Sequence, residues 1–130
     1  MTVTLTFDLE EFDFPLERGK QIGPDEQMKV STEGLMPLLA LLERHGIRAT
    51  FYVTANYADH NREIIKNIAA AGHEIACHDY YHGMSSKSDP AGAKKVLEEI
   101  AGCEVVGYRS PRLGCTHPEE LAEAGFRYNS

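Results

Sequence analysis

Five short apolar or β-branched runs alternate with longer segments of helical spacing along the chain, and this alternation limits the fold more than any single residue does. Residues 2–8 place Val3, Leu5 and Phe7 on one side and Thr4, Thr6 and Asp8 on the other, which predicts a strand with an apolar outer face. Residues 47–54, 73–77 and 104–109 predict three more strands, and Phe126-Arg127-Tyr128 opens a fifth. Between them, helical stripes are formed by Leu35, Leu38, Leu39 and Leu42, by Ile64, Ile65, Ile68 and Ala71, and by Ala93, Val96, Leu97 and Ile100. The corresponding helices are expected over 31–45, over 60–71, and from Pro90 to a stop at Gly102. A fourth, short helix ends at Ala124, introduced by Thr116-His117-Pro118-Glu119, which resembles a capping box. Asp89-Pro90 reads as an N-cap followed by proline at the first helical position.

Two places stay open. Ser31 or Thr32 can cap the first helix, but Pro37 fits better the first turn of a helix beginning near Leu35. Residues 9–30, charged and carrying Phe12, Phe14, Pro15, Gly19, Gly23 and Pro24, read as a long connection, either a functional loop or a surface insertion.

The order β-α-β-α-β-α-β-α-β argues for an α/β protein with a parallel sheet and right-handed crossovers. An open doubly wound sheet and a barrel both satisfy it. A complete barrel takes about 250 residues, roughly 30 per unit. At 130 residues this chain reaches only its fifth strand, so as a barrel it would be incomplete, a single domain truncated at its C-terminus.

In parallel α/β architectures chemistry collects at the C-terminal strand ends. Those ends carry Asp8 and Glu10, then Thr54 and Asn56, then His78 and His82, then Arg109. Histidines four residues apart can point the same way on a helix or tight turn. Imidazole is the commonest zinc ligand, and a catalytic site needs about three protein ligands plus an open position. The convergence supports a metal site of two histidines and one carboxylate, with a second carboxylate beside it.

Composition removes other classes. Thirteen basic against twenty acidic residues leave a net charge of −7, which argues against nucleic-acid binding. No apolar run approaches the roughly 20 residues of a membrane helix, and the N-terminus has no basic region of a secretory signal, so a cytoplasmic protein is expected. Three cysteines without a Cys-x-x-Cys suit buried thiols in a reducing compartment, and Cys77, alternating with His78, is expected to face the core.

The motifs resemble those of the polysaccharide deacetylase family, the NodB-homology domain of carbohydrate esterase family 4. Thr6-Phe7-Asp8 matches the family's first motif. Gly72-His73-Glu74-Ile75 leads into His78-Asp79-Tyr80-Tyr81-His82, which matches its His-x-x-x-His. Gly107-Tyr108-Arg109-Ser110-Pro111 matches its Arg-x-Pro, and residues 45–53 resemble its helix-to-second-strand joint. The resemblance implies a distorted (β/α) barrel, incomplete here with about five strands and four helices. It implies metal-assisted hydrolysis of an acetamide on an N-acetylated carbohydrate or carrier-linked sugar. His78 and His82 would be ligands of a divalent metal, zinc first and cobalt, nickel or iron as alternatives. Asp8 would be the general base, Arg109 its partner, and the backbone N–H of Arg112 an oxyanion donor.

Many members have two adjacent aspartates where this chain has Asp8-Leu9. Asp8-Leu9-Glu10 resembles the Asp-x-Glu subset, which makes Glu10 the candidate third ligand and Glu11 a substitute. The family's later motifs, with a tryptophan-bearing wall and a catalytic histidine, are absent, and the chain has no Trp. Two alternatives follow: a catalytically impaired domain that keeps a metal or sugar site, and a metal-independent hydrolase of a purine-derived ring amide. Tyr80 and Tyr81 could stack on a sugar or cover the barrel mouth. Asp79 is weighed as a support for a ligating histidine. His45 reads as a helix-end residue, His73 as structural, His60 and His117 as solvated. An open sheet edge invites pairing, so a homo-oligomer is an expectation.

Overall fold

The computed structural model describes residues 3–83 and 87–130. The sheet has five strands: β1 Thr6–Leu9, β2 Thr50–Val53, β3 Glu74–Cys77, β4 Gly107–Tyr108 and β5 Tyr128–Asn129. All pair in parallel, in the order β1-β2-β3-β4-β5. A doubly wound sheet reverses its strand order at a switch point. This sheet never reverses, so of the two expected closures the barrel type is the one present.

The register separates two chemistries. Phe7, Phe51 and Ile75 align on one face, followed by Leu9, Val53 and Cys77. This outer face joins the core with Ile65, Ile68, Leu97 and Ile100 from the helices. Each such side chain contributes roughly 1.5–3 kcal/mol on burial. Thr6, Thr50 and Glu74, then Asp8, Tyr52 and Ala76, line the inner face. There Thr50 donates to Glu74 at 2.6 Å and Tyr128 donates to the same carboxylate at 2.8 Å.

The helices correct the sequence expectations in three places. Residues 9–30 are not one loop. They contain a four-residue helix α1, Phe14–Glu17, and the first turns of α2, Pro24–His45. Pro24 takes the first helical position after Gly23, where its missing N–H costs nothing. Met28, Leu35 and Leu42 form one buried stripe that continues across Pro37. Pro37 and Glu33 are both exposed, so water can serve the carbonyl that the proline leaves without a donor. Gly46, at φ 62°, ends α2 as expected.

The segment expected as one helix over 60–71 is two, α3 Ala55–His60 and α4 Arg62–Ala70. Thr54 starts α3 early by accepting from Tyr57 N–H at 3.3 Å, and Asn61, at φ −129°, breaks the run. Helix α5, Pro90–Ala101, has the expected Asp89 cap, which accepts from Gly92 N–H at 2.9 Å. Helix α6, Pro118–Glu123, lacks the expected capping box. Thr116 instead shares hydrogen bonds with Tyr108 and Ser110, at 3.2 and 3.0 Å. Strand β4 is shorter than its apolar run because only Gly107 and Tyr108 find partners in the ladder.

Candidate metal centre

The site is built at the C-terminal ends of β1 and β3, with additions from β4 and the loop after β1. Strand β3 runs out at His78, whose N–H still donates to Val53 at 2.9 Å and whose side chain is 2% exposed. The chain then turns sharply at Asp79, which adopts φ 63°. The Asp79 carboxylate accepts from Tyr80 N–H at 2.7 Å, Asp89 N–H at 2.8 Å, Ser88 at 2.5 Å and Tyr108 at 2.9 Å. Asp79 therefore shapes the loop and supports neither histidine, contrary to the role weighed for it.

The turn returns His82 beside His78. Their rings lie 5.8 Å apart and 27° from parallel. Backbone anchoring completes the return: His82 N–H donates to Glu11 at 3.0 Å, and the other Glu11 oxygen accepts from Thr54 at 2.7 Å. Glu11 is buried and committed to these two donors. Glu10 points the other way. One of its oxygens sits 3.1 Å from His78 Nε2 and 3.3 Å from His82 Nε2.

The proton positions follow from the far side of each ring. His78 Nδ1 is 2.8 Å from the Arg109 carbonyl, and His82 Nδ1 is 2.9 Å from an Asp13 oxygen. Neither a carbonyl nor a carboxylate can donate, so each Nδ1 carries the hydrogen. Both Nε2 lone pairs then face the Glu10 carboxylate. Three acceptors converging within 4.8 Å require a proton or a cation between them. This donor set is consistent with a divalent metal site. In the metal-free chain burial pulls the His78 pKa down. Glu10, the Asp8 charge and the Arg109 carbonyl outweigh it, and the pKa ends above its ordinary value.

Asp8 stands beside this cluster. Its carboxylate is 2.6 Å from Arg109 Nη1. Arg109 is fixed on three other sides, by Thr6 at 3.1 Å, Ser130 at 2.9 Å and the Tyr52 ring 3.9 Å away. Arg112 lies in a short 3-10 turn, Pro111–Leu113, with φ 55°. Its guanidinium reaches Asp13 at 3.0 Å and pairs with Glu17. Tyr81 shares a cleft of about 210 Å³ with His82 and Arg112, whereas Tyr80 packs partly into the core with its ring 4.8 Å from that of Tyr81. Asn56 and Thr54, also expected at strand ends, serve the scaffold: Asn56 N–H donates to the Tyr80 carbonyl at 2.9 Å. His73 accepts from Ala49 N–H at 3.1 Å, a structural role, and His60 is exposed, as expected, with one ring nitrogen 2.8 Å from the Asn56 carbonyl. Cys77 is buried, and desolvation raises its thiol pKa far out of the reactive range.

Sequence reasoning missed Asp13 and the side chain of Arg112. The signal available was weak: acids at 10, 11 and 13 immediately follow β1, with no periodicity to say which turn inward.

Comparison with known proteins agrees with this geometry. The family model described as polysaccharide deacetylase matches residues 1–128, and the chain belongs to that family. A solved putative polysaccharide deacetylase from Mycobacterium smegmatis superposes with a TM-score of 0.75 at 33% identity, over 97% of this chain and 49% of that one. A chitooligosaccharide deacetylase from Bradyrhizobium is 37% identical over 54 residues, 42% of this chain and 25% of that protein. A family 4 pseudoenzyme from Bacillus anthracis shares the fold, with a TM-score of 0.65 at 18% identity, over 98% of this chain and 42% of that one. The chain thus spans about half the length of the solved proteins it matches, and the family holds hydrolases and pseudoenzymes alike.

Proposed function

We propose that the chain carries the metal-binding half of a deacetylase that hydrolyses the acetamide of an N-acetylated sugar, free or carrier-linked. The observation behind this reading is the convergence of Glu10, His78 and His82 beside an Asp8–Arg109 pair. The three residues would hold a divalent ion, zinc in preference to cobalt, nickel or iron. When bound, such an ion supplies polarisation of the amide carbonyl and a more acidic water.

The chain's own residues supply the rest. Asp8 accepts the proton from the attacking water at its carboxylate and hands it to the amine nitrogen as the C–N bond breaks, leaving acetate and the free amine. Arg109 holds that carboxylate in place and keeps a cation beside it. The backbone N–H of Arg112 donates to the carbonyl oxygen as charge builds there. Tyr81, 46% exposed, offers an aromatic face to a sugar ring.

A second reading is a catalytically impaired domain that keeps the metal site, favoured by the occurrence of a pseudoenzyme on this fold. Two measurements separate them. Metal content is determined for wild type and His78→Ala after reconstitution with zinc or cobalt, and acetate release is followed from N-acetylglucosamine oligomers. One ion per chain, lost in the variant, with acetate release supports the deacetylase. One ion without turnover supports the impaired domain. A wild type that takes up no metal removes both.

A further inference from the structure

We propose that Asp13 is the positioning residue for His82, setting its tautomer and aiming Nε2 at the metal position, with Arg112 holding the Asp13 carboxylate in place. The inference rests on the metal-site reading above and assigns a role to two side chains, those of Asp13 and Arg112, for which the resemblance implies none.

Three features of the structure carry it. The two histidines are anchored differently on their Nδ1 sides. His78 meets a backbone carbonyl, fixed by β4 whatever the side chains are. His82 lies in a loop, and its Nδ1 meets only side chains: Asp13 at 2.9 Å and, at 3.4 Å, the Arg112 guanidinium. A guanidinium is solely a donor, so Asp13 is the acceptor that can hold the Nδ1 hydrogen.

Asp13 is itself 7% exposed, although it sits at the start of a four-residue surface helix. A carboxylate is seldom placed so deeply without partners for both oxygens. One oxygen serves His82 and the other accepts from Arg112 at 3.0 Å.

Arg112 in turn is held from two sides. It pairs with Glu17, at the end of the same short helix, and its Nε donates to the His82 carbonyl at 3.3 Å. Asp13, Arg112 and His82 therefore close a ring in which each member touches the other two. The loop after β1, the loop after β3 and the turn after β4 meet in it. A carboxylate behind a ligating imidazole fixes the ring's orientation and raises its basicity, and removing such a partner typically weakens metal binding 10–100-fold.

The test uses the full chain labelled with 15N-histidine, metal-free, at about pH 8.5, roughly two units above the reference histidine value. Long-range proton–nitrogen spectra report which ring nitrogen of His82 carries the hydrogen. Wild type is expected to show Nδ1–H. Asp13→Ala is expected to shift His82 toward Nε2–H and to weaken zinc or cobalt binding about 10–100-fold. Asp13→Asn keeps shape but turns an amide N–H₂ toward either His82 or Arg112, so a smaller loss in the same direction is expected. It also serves should Asp13→Ala fail to fold. A folded variant that keeps the Nδ1–H tautomer and binds metal within about twofold of wild type overturns the proposal. A merely structural role for Asp13 would lower thermal stability without changing the tautomer. If wild type binds no metal, the functional reading falls, while the tautomer spectra still decide whether Asp13 positions His82.

Discussion

Asp8 and Arg109 are 101 positions apart in sequence and 2.6 Å apart in the fold. One lies on the first strand and the other just beyond the fourth, so the ion pair exists only when the sheet has closed through β2 and β3 between them. The Asp8 side chain is 40% exposed, while that of Arg109 is largely enclosed.

Asp8→Asn keeps the volume and removes the proposed base. Deacetylation of an N-acetylated sugar is expected to fall by about 10²–10⁴ with metal content unchanged. Parallel loss of metal would instead make Asp8 a ligand. Acetate release and elemental analysis on the same sample distinguish the two.

His78 gives a pH dependence of defined sign. Its pKa in the folded, metal-free chain is raised, because Glu10, Asp8 and the Arg109 carbonyl outweigh burial. The protonated form therefore stabilises the metal-free fold. That contribution is complete below the unfolded value of about 6.5 and is lost as pH rises through the raised folded value. Metal needs the neutral ring, so uptake near neutral pH is expected to release a proton. Urea titrations from pH 6 to 9 and calorimetry in buffers of different ionisation enthalpy read these effects. A His78→Gln variant with the same pH slope as wild type would show that another group is responsible.

Asp79→Ala should be the most damaging substitution near the site that touches no ligand. It strips a buried acceptor from four donors and places alanine at φ 63°. The expected loss is about 3–4 kcal/mol. Asp79→Asn, which tolerates that backbone, should lose about half as much. Denaturant melts of the two variants check the order.

Gly107 is a different kind of constraint. A Cβ there would lie 2.1 Å from the Tyr128 hydroxyl, which crosses over it to reach Glu74. Gly107→Ala should cost about 1–3 kcal/mol by displacing that ring. The same change in a Tyr128→Ala background should cost much less, and a double-mutant cycle measures the difference. Equal costs in both backgrounds would locate the strain elsewhere.

The strand order was readable because β-branched runs alternate with the Ile and Leu stripes of the helices, and those stripes are burial patterns that a sheet-and-helix core enforces. The first strand was read too early, since β1 begins at Thr6 and Val3 and Leu5 lie exposed before it, leaving Phe7 and Leu9 to carry its apolar face. Glu10, His78, His82, Asp8 and Arg109 were readable because parallel strands deliver their ends to one place. Helix α2 was read too short because its start is set by Pro24 and its stripe is polar-interrupted between Met28 and Leu35. The capping box failed because Thr116 had a better use beside Tyr108. Asp13 was invisible for a deeper reason: its partners lie 69 and 99 positions away, and no local spacing encodes them.

Among the described residues, strand β1 pairs with β2 alone, through a ladder of four residues. An ion shared by Glu10, His78 and His82 would act on it as a covalent bridge acts on a loop. Glu10 and His82 stand 72 positions apart, so clamping them together would remove a large set of open-chain conformations from the unfolded ensemble. In the chain-entropy account of cross-links, a loop of that size corresponds to at most about 4 kcal/mol. Metal loading would then do more than equip the site for chemistry: it would rivet the end of β1 to the loop that follows β3. Amide hydrogens of Phe7 to Leu9 should be the ones whose exchange slows most when the ion arrives.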